Sequence, residues 1–281
     1  SAGADWQRDR IDSNTAYDIT SRNNTGVYVE YIGAFGTQQL QASVRNDDNG
    51  QFGNHVTGSL GWGLEFGEGY KLTASAGSGF KAPTFNDLYY PFFGNPDLEP
   101  ETSRSINVGI SRHSERWNWT LAAYETRVDD LISYDAALFL PNNIDKARIR
   151  GIEFTIDTTL AGWDVGAQLS HADPRSRSGF NDGNWLPRRA RDTGRIDLAR
   201  DFGAWRVGAT LNAAGPRYDD AANTLRLGGY ATADLRLEYA FASAWTLQAR
   251  ATNLFDRHYE TVAWYNQPGR EFGLSLRYAP R

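Results

Sequence analysis

The chain has 281 residues, 34 of them acidic and 29 basic, for a formal net charge of −5, with 40% hydrophobic and 13% aromatic side chains. That balance excludes a partner recruited by bulk positive charge, nucleic acid above all, and the absence of cysteine excludes disulfides, thiolate metal sites and cysteine nucleophiles. No stretch approaches the roughly 18 apolar residues of a membrane helix, and the chain opens on "SAGADWQRDR" without methionine, as a processed product or an excised piece does.

From the N-terminus onward the pattern has period two, the signature of strands with one apolar face. Fourteen strands are expected, over residues 2–9, 23–33, 36–46, 55–66, 69–81, 102–113, 116–134, 146–159, 162–172, 188–201, 203–215, 228–240, 244–253 and 268–279. Late in the chain "ADLRLEYAF" sets Ala233, Leu235, Leu237, Tyr239 and Phe241 on one face and Asp234, Arg236 and Glu238 on the other. "FGLSLRY" groups Phe272, Leu274, Leu276 and Tyr278 in the same way. No helical segment is expected. One strand breaks parity: Ile149 is apolar on the odd face, then Ile152 and Phe154 on the even one, which reads as a bulge near Gly151.

The connections alternate between two kinds. "AFGT", "FGEG", "HSER", "LAGW", "DFGAW" and "FASAW" are tight; "FKAPTFNDLYYPFFGNPDLEPE", "DAALFLPNNID", "ADPRSRSGFNDGNWLP" and "GPRYDDAANTLRLG" are long and irregular. A transmembrane β-barrel has this asymmetry, and its low overall hydropathy follows from polar inward residues. Tyr70, Trp117, Trp163, Trp205 and Trp245 each follow a tight turn. Rings repeated at one level form the aromatic girdle of a membrane interface. The opposite face, with Arg191, Thr193, Arg195 and Asp197 and then Gln248, Arg250 and Thr252, would line a hydrated lumen. The fold class is therefore all-β, an antiparallel transmembrane β-barrel forming one domain over residues 1–281.

Chemistry is sparse. His55, His113, His171 and His258 are scattered without ligand spacing. "NDDNG" lacks the closing glutamate of a calcium loop, and "SAGSGF" lacks the strand–turn–helix setting of a nucleophile elbow. No catalytic or metal-binding residue is assigned, and no enzyme is expected. The long loops are more informative. "TFNDLYYPFFGNPDL" carries Phe85, Tyr89, Tyr90, Phe92 and Phe93, which suit either ligand contact or packing on a partner. "NWLPRR" brings Trp185, Arg188 and Arg189 to the rim, and "GPRYDD" brings Arg217 and Tyr218. Planar donors beside aromatic faces suit a large ligand with phosphate or amide groups, or the headgroups of lipopolysaccharide.

Between Gly77 and Ser103 the pattern "KAP…LY…GNP-L-PE-S" resembles TonB-dependent outer-membrane receptors, and "ATNLFDRHYET…PGREFGLSLRY" resembles their last strands. "RNDDNGQFG", "DKARIRGIEF", "LPRRA", "NLFDRHYETV" and "GREF" are similar to the cobalamin (vitamin B12) receptors of that family. The resemblance runs over essentially the whole chain. It implies the last fourteen strands of a 22-stranded barrel in the bacterial outer membrane. The plug domain that engages TonB, and calcium loops, fall outside the chain, and no cofactor is expected within it. It further implies a contact with cobalamin at Arg188. The expected function is energy-coupled uptake of cobalamin. A ferric siderophore receptor of the same family is one alternative, and a fourteen-stranded passive channel closed by pairing of strands 2–9 and 268–279 is another. A soluble β-rich binding protein is a third.

Overall fold

The computed structural model describes residues 1–135 and 138–280, without the side chains of Ile144 and Asp145. The strands are β1 (Ala2–Arg10), β2 (Ser21–Phe35), β3 (Gln38–Asn49), β4 (Gly53–Phe66), β5 (Tyr70–Lys81), β6 (Glu101–His113), β7 (Trp117–Asp135), β8 (Leu140–Leu160) and β9 (Trp163–Ser176). They continue with β10 (Asp192–Phe202), β11 (Trp205–Ala214), β12 (Arg217–Tyr218), β13 (Arg226–Leu227), β14 (Tyr230–Ala242), β15 (Trp245–Thr252), β16 (Glu260–Val262), β17 (Tyr265–Asn266) and β18 (Glu271–Tyr278). Fourteen of them form one antiparallel sheet in chain order, while β12–β13 and β16–β17 are small hairpins inside two of the long loops. All fourteen expected strands are present. Among the described residues nothing pairs β1 with β18, so the self-closed fourteen-stranded channel is not the architecture seen.

Five strands begin on the five girdle aromatics, Tyr70, Trp117, Trp163, Trp205 and Trp245. Before three of them glycine supplies the positive φ a short hairpin requires: Gly69 at 77° before Tyr70, Gly162 at 80° before Trp163 and Gly203 at 62° before Trp205. Register puts these rings on the same face as the exposed Ile106, Val108, Leu121, Ile152, Leu169, Leu211, Leu235 and Leu274. Neighbouring aromatics extend the belt, with Trp205 stacked on Tyr239 at 4.2 Å and Trp245 tilted over Tyr278 at 4.7 Å. An apolar sheet face of this extent demands a nonaqueous neighbour. No helix among the described residues is long and apolar enough to cross a membrane.

The other face is polar and internally paired. Arg45 on β3 reaches across β2 to Asp5 on β1 at 2.7 Å and holds Asp47 at 2.8 Å. It passes over Gly26, where a Cβ would collide with the guanidinium. Arg195 chelates Asp197, which also accepts from Thr210.

Four expectations change. Gly151 is not bulged: Tyr124 and Ala172 flank it in unbroken register on both sides. Ile149 turns to the polar face because Leu186, from the loop after β9, covers it together with Val128, Leu131 and Ala147. The glycine serves Tyr124, whose ring lies where a Cβ would be. Secondly, β10 starts at Asp192, so Arg188 to Arg191 are loop, and Arg191 leaves the lumen row. Its guanidinium lies 5.0 Å from the Trp185 ring, beside His171, which shares a face with Leu169. Thirdly, residues 140–145 of the segment read as a long loop belong to β8, while Ala136 and Ala137 lie outside the described residues. On the same edge β3 and β4 are joined by only residues 50–52. Finally, a five-residue helix, α1 (Phe85–Tyr89), interrupts the first aromatic loop, nucleated by a capping box between Thr84 and Asp87.

Candidate functional site

The long loops fold back over the polar face and meet one another, and they do so in two clusters. The first is built on α1. Its buried residues, Phe85 and Leu88, face the sheet, with the Arg22 guanidinium 4.9 Å over the Phe85 ring and donating to the Pro83 carbonyl. Farther along, Asn95 donates to the Pro141 carbonyl and Asn143 to that of Glu99, so the loop spans from β2 to β8. Tyr89 is half-buried, and its hydroxyl accepts from Gln51. Tyr90 and Phe93 stay exposed within an aromatic chain that runs from Tyr17 through both to Tyr134. Phe92 projects completely, at 108% exposure and with a φ of 62°. A phenyl ring held in water by a strained backbone is costly unless something covers it.

The second cluster joins the loops of residues 177–191, 215–229 and 253–270. Leu186 anchors the first loop at 1% exposure. Asn223 clips the backbone of Trp185 from both sides, accepting from its N–H at 2.8 Å and donating to its carbonyl at 2.9 Å. The Trp185 ring meets Tyr218 edge-on at 5.5 Å and carries the guanidiniums of Arg175 and Arg191. Arg188, at a φ of 60°, donates its backbone N–H to the Tyr218 carbonyl and its guanidinium to both oxygens of Asp219. Asp219 also accepts from the Ala263 N–H, which ties in the third loop. Arg217 is buried over Tyr230, itself stacked on Tyr259 at 3.9 Å, and its Nε has no hydrogen-bond partner among the described residues. Burial raises the Tyr259 hydroxyl above the ordinary tyrosine range, with Tyr230 and Asp234 adding to it.

Arg189 diverges from Arg188. Loss of water around it lowers its pKa from the usual arginine value, while Glu101 and Tyr124 on the polar face oppose the shift. More than a third of its surface remains open, so it stays a cation. Trp185, Arg188, Arg217 and Tyr218 are thus brought together, Arg189 stands on the polar face, and Tyr89, Tyr90, Phe92 and Phe93 belong to the other cluster. Asp219, Asn223, Tyr134 and Tyr259 were not singled out from the sequence. The acid directly after the basic and aromatic pair in "GPRYDD" was the available signal for Asp219.

Asp220 shapes the second loop. Burial pushes its carboxyl up, but the N–H groups of Leu225 and Thr224 and the Thr224 hydroxyl outweigh this, and its pKa ends below the ordinary aspartate value. A depressed folded pKa gives stability that is complete above about pH 4 and is lost as pH falls through the lowered value. Amide protection across residues 215–229 should therefore fall as the pH drops below about 4, and Asp220→Asn should flatten that dependence. Protection that is unchanged over this range would contradict the assignment.

Comparison with known proteins bears on what the rim is for. Residues 1–254 match the family described as TonB dependent receptor-like, beta-barrel. The vitamin B12 transporter BtuB of Photobacterium profundum is 32% identical over 284 residues, covering 98% of this chain and 46% of that protein. Among solved structures, the ferric enterobactin receptor PfeA of Pseudomonas aeruginosa superposes with a TM-score of 0.80 at 20% identity, covering 99% of this chain and 51% of that one. The siderophore receptor PirA of Acinetobacter baumannii gives 0.76 at 19% identity, covering 92% and 46%. These two likenesses concern the fold. The chain spans about half the length of the proteins it matches, and within that span it belongs to the TonB-dependent receptor β-barrel family.

Proposed function

We propose that this chain forms part of the wall and rim of a bacterial outer-membrane receptor that takes up cobalamin by energy-coupled transport. The observation that carries the reading is the 32% identity to a vitamin B12 transporter across 98% of the chain. The rim chemistry supports it. Arg188 offers a planar cation held by Asp219, beside the edge-on pair of Trp185 and Tyr218. Such a surface suits a large ligand that carries amides and a phosphate on an extended ring. The Tyr89, Tyr90, Phe92 and Phe93 loop would close over the ligand from the other side.

Uptake requires no bond-making in the ligand, so these residues bind and orient only. Coupling to TonB, the plug, and any calcium site are assigned to parts of the receptor outside this chain, on the family resemblance. A ferric siderophore is the second reading, favoured by the fold likeness to siderophore receptors and by a rim that would hold an anionic chelate equally well.

Calorimetric titration of cyanocobalamin into the detergent-extracted receptor tests the proposal. Binding should weaken roughly tenfold in Arg188→Ala, the loss of one partly solvated charge-assisted contact. No heat with cyanocobalamin, together with heat from a ferric siderophore, would transfer the assignment to the second reading.

A further inference from the structure

The apolar face ends, at its loop-side edge, on an arrangement that strand pairing normally avoids. Arg104 on β6 stands opposite Arg127 on β7, Arg127 opposite Arg148 on β8, and Arg148 opposite Arg175 on β9. Four arginines thus form one cross-strand row over four adjacent strands. Directly opposed like charges on a sheet repel. The row beneath is Ile106, Glu125, Arg150 and Asp173, and the one beneath that is Val108, Ala123, Ile152 and His171. Alternation therefore fixes the arginine row on the same face as the exposed Ile106, Val108 and Ile152, one step above the apolar band, with only its Arg175 end reaching the second loop cluster, at Trp185 and the Gly183 carbonyl.

The two carboxylates do not neutralise the row. Glu125 pairs with Arg127 at 2.8 Å, and Asp173 is shared by Arg175 at 2.7 Å and Arg150 at 3.5 Å. Arg104 and Arg148 have no carboxylate partner among the described residues, and the Arg148 Nε is buried without a hydrogen bond. Over these two rows five arginines stand against two carboxylates, and the adjoining Lys146, Arg177 and Arg191 add positive charge against Asp129, in a chain whose formal net charge is −5. A cleft of about 1160 Å³ opens over this patch, lined by Arg104, Arg127 and Arg148 at its top and by Ile106, Val108 and Ile152 at its foot.

We propose that this row binds the phosphate groups of an outer-leaflet glycolipid, with acyl chains on the apolar band below. The proposal rests on the outer-membrane placement above. Only an amphiphile matches both halves of the patch: anionic groups for the arginines, hydrocarbon for Ile106, Val108 and Ile152. Three interstrand gaps give the row a width of about 14 Å, enough for a disaccharide phosphorylated at both ends. The guanidiniums supply the forked donors that phosphate oxygens prefer.

The test uses the receptor extracted from outer membranes and stripped of glycolipid, titrated with lipid A, with fully dephosphorylated lipid A and with sodium phosphate, and read by native mass spectrometry. Lipid A should bind at least tenfold more tightly than its dephosphorylated form. R104Q/R148Q should lose at least tenfold of that affinity, and R104K/R148K should keep most of it. Without lipid, R104Q/R148Q should raise the unfolding temperature by relieving repulsion; with lipid A it should unfold below the wild type. Equal binding of the two lipids, an unaffected R104Q/R148Q, or displacement of lipid A by millimolar phosphate would each overturn the proposal. A heat-dependent mobility shift on unboiled gels reports the membrane barrel independently. Its absence would sink the outer-membrane reading, whereas a normal shift without lipid A preference would sink only this site.

Discussion

Leu186→Ala should speed amide exchange at Trp185 and Leu186 by about 30- to 150-fold while leaving the middle of β10 unchanged. Leu186 is the one residue of its loop that is driven fully into an apolar cluster, against Val128, Leu131, Ala147 and Ile149. Truncating a buried leucine costs about 2–5 kcal/mol. The lower half of that range applies here, because this cluster is small and water at its margin can fill the gap. A local cost of about 2–3 kcal/mol gives the stated factor. Faster exchange in unrelated loops, or loosening of β10 itself, would show that Leu186 supports the sheet rather than the rim. Trp185 is held through its backbone by Asn223, so the double variant with Asn223→Ala should cost less than the sum of the two, as groups sharing one docked loop do.

Asp219→Ala should weaken cyanocobalamin binding by about thirtyfold, more than Arg188→Ala itself, if cobalamin is the ligand. The carboxylate is nearly enclosed and accepts three bonds, two from Arg188 and one from the Ala263 N–H. Arg188 is about half-exposed and can rehydrate, so its share of the cost is small. The Ala263 N–H is left without its partner, and the three loops lose their common tie, which together cost about 2 kcal/mol. Asp219→Asn separates the roles, because it keeps an acceptor for Ala263 while removing the charge that orients Arg188. In R188A/D219A the effects should not add. The loss should fall short of the sum by the part of the Asp219 effect that runs through Arg188, and full additivity would mean that Asp219 acts through the Ala263 tie alone.

These two residues also mark where the sequence stopped being readable. The strands were legible because one face of each meets an apolar neighbour, and alternation reports that directly. Loop docking has no such period. Ile149 looked like a register fault because its apolar cover comes from Leu186, 37 positions later in the chain, and parity cannot distinguish a bulge from a distant lid. Arg191 was read as a lumen residue because "RRARDT" continues the strand pattern through residues that the structure places before β10. Trp185, Arg188, Arg217 and Tyr218 could be picked out by type. Their partner Asp219 was marked only by its place directly after Arg217 and Tyr218, and that place does not tell which cation or amide the carboxylate will hold. The short helix α1 was announced by Thr84 and Asp87, but at five residues it falls below the length at which helical periodicity can be recognised.

The level girdle has a consequence for which bilayer can host this wall. On β9 the outward residues run from Trp163 through Val165, Ala167 and Leu169 to His171, whose Nδ1 sits 2.6 Å from Asp192 on β10. Eight residue steps at about 3.3 Å cover about 27 Å along the strand, and the 35–45° tilt of barrel strands reduces that to roughly 20 Å of vertical hydrocarbon. A membrane several ångströms thicker would draw either the indole or the His171–Asp192 pair into acyl chains at this strand. Spacing between Trp163 and His171 is thus a thickness gauge written into β9, and it matches a thin bilayer.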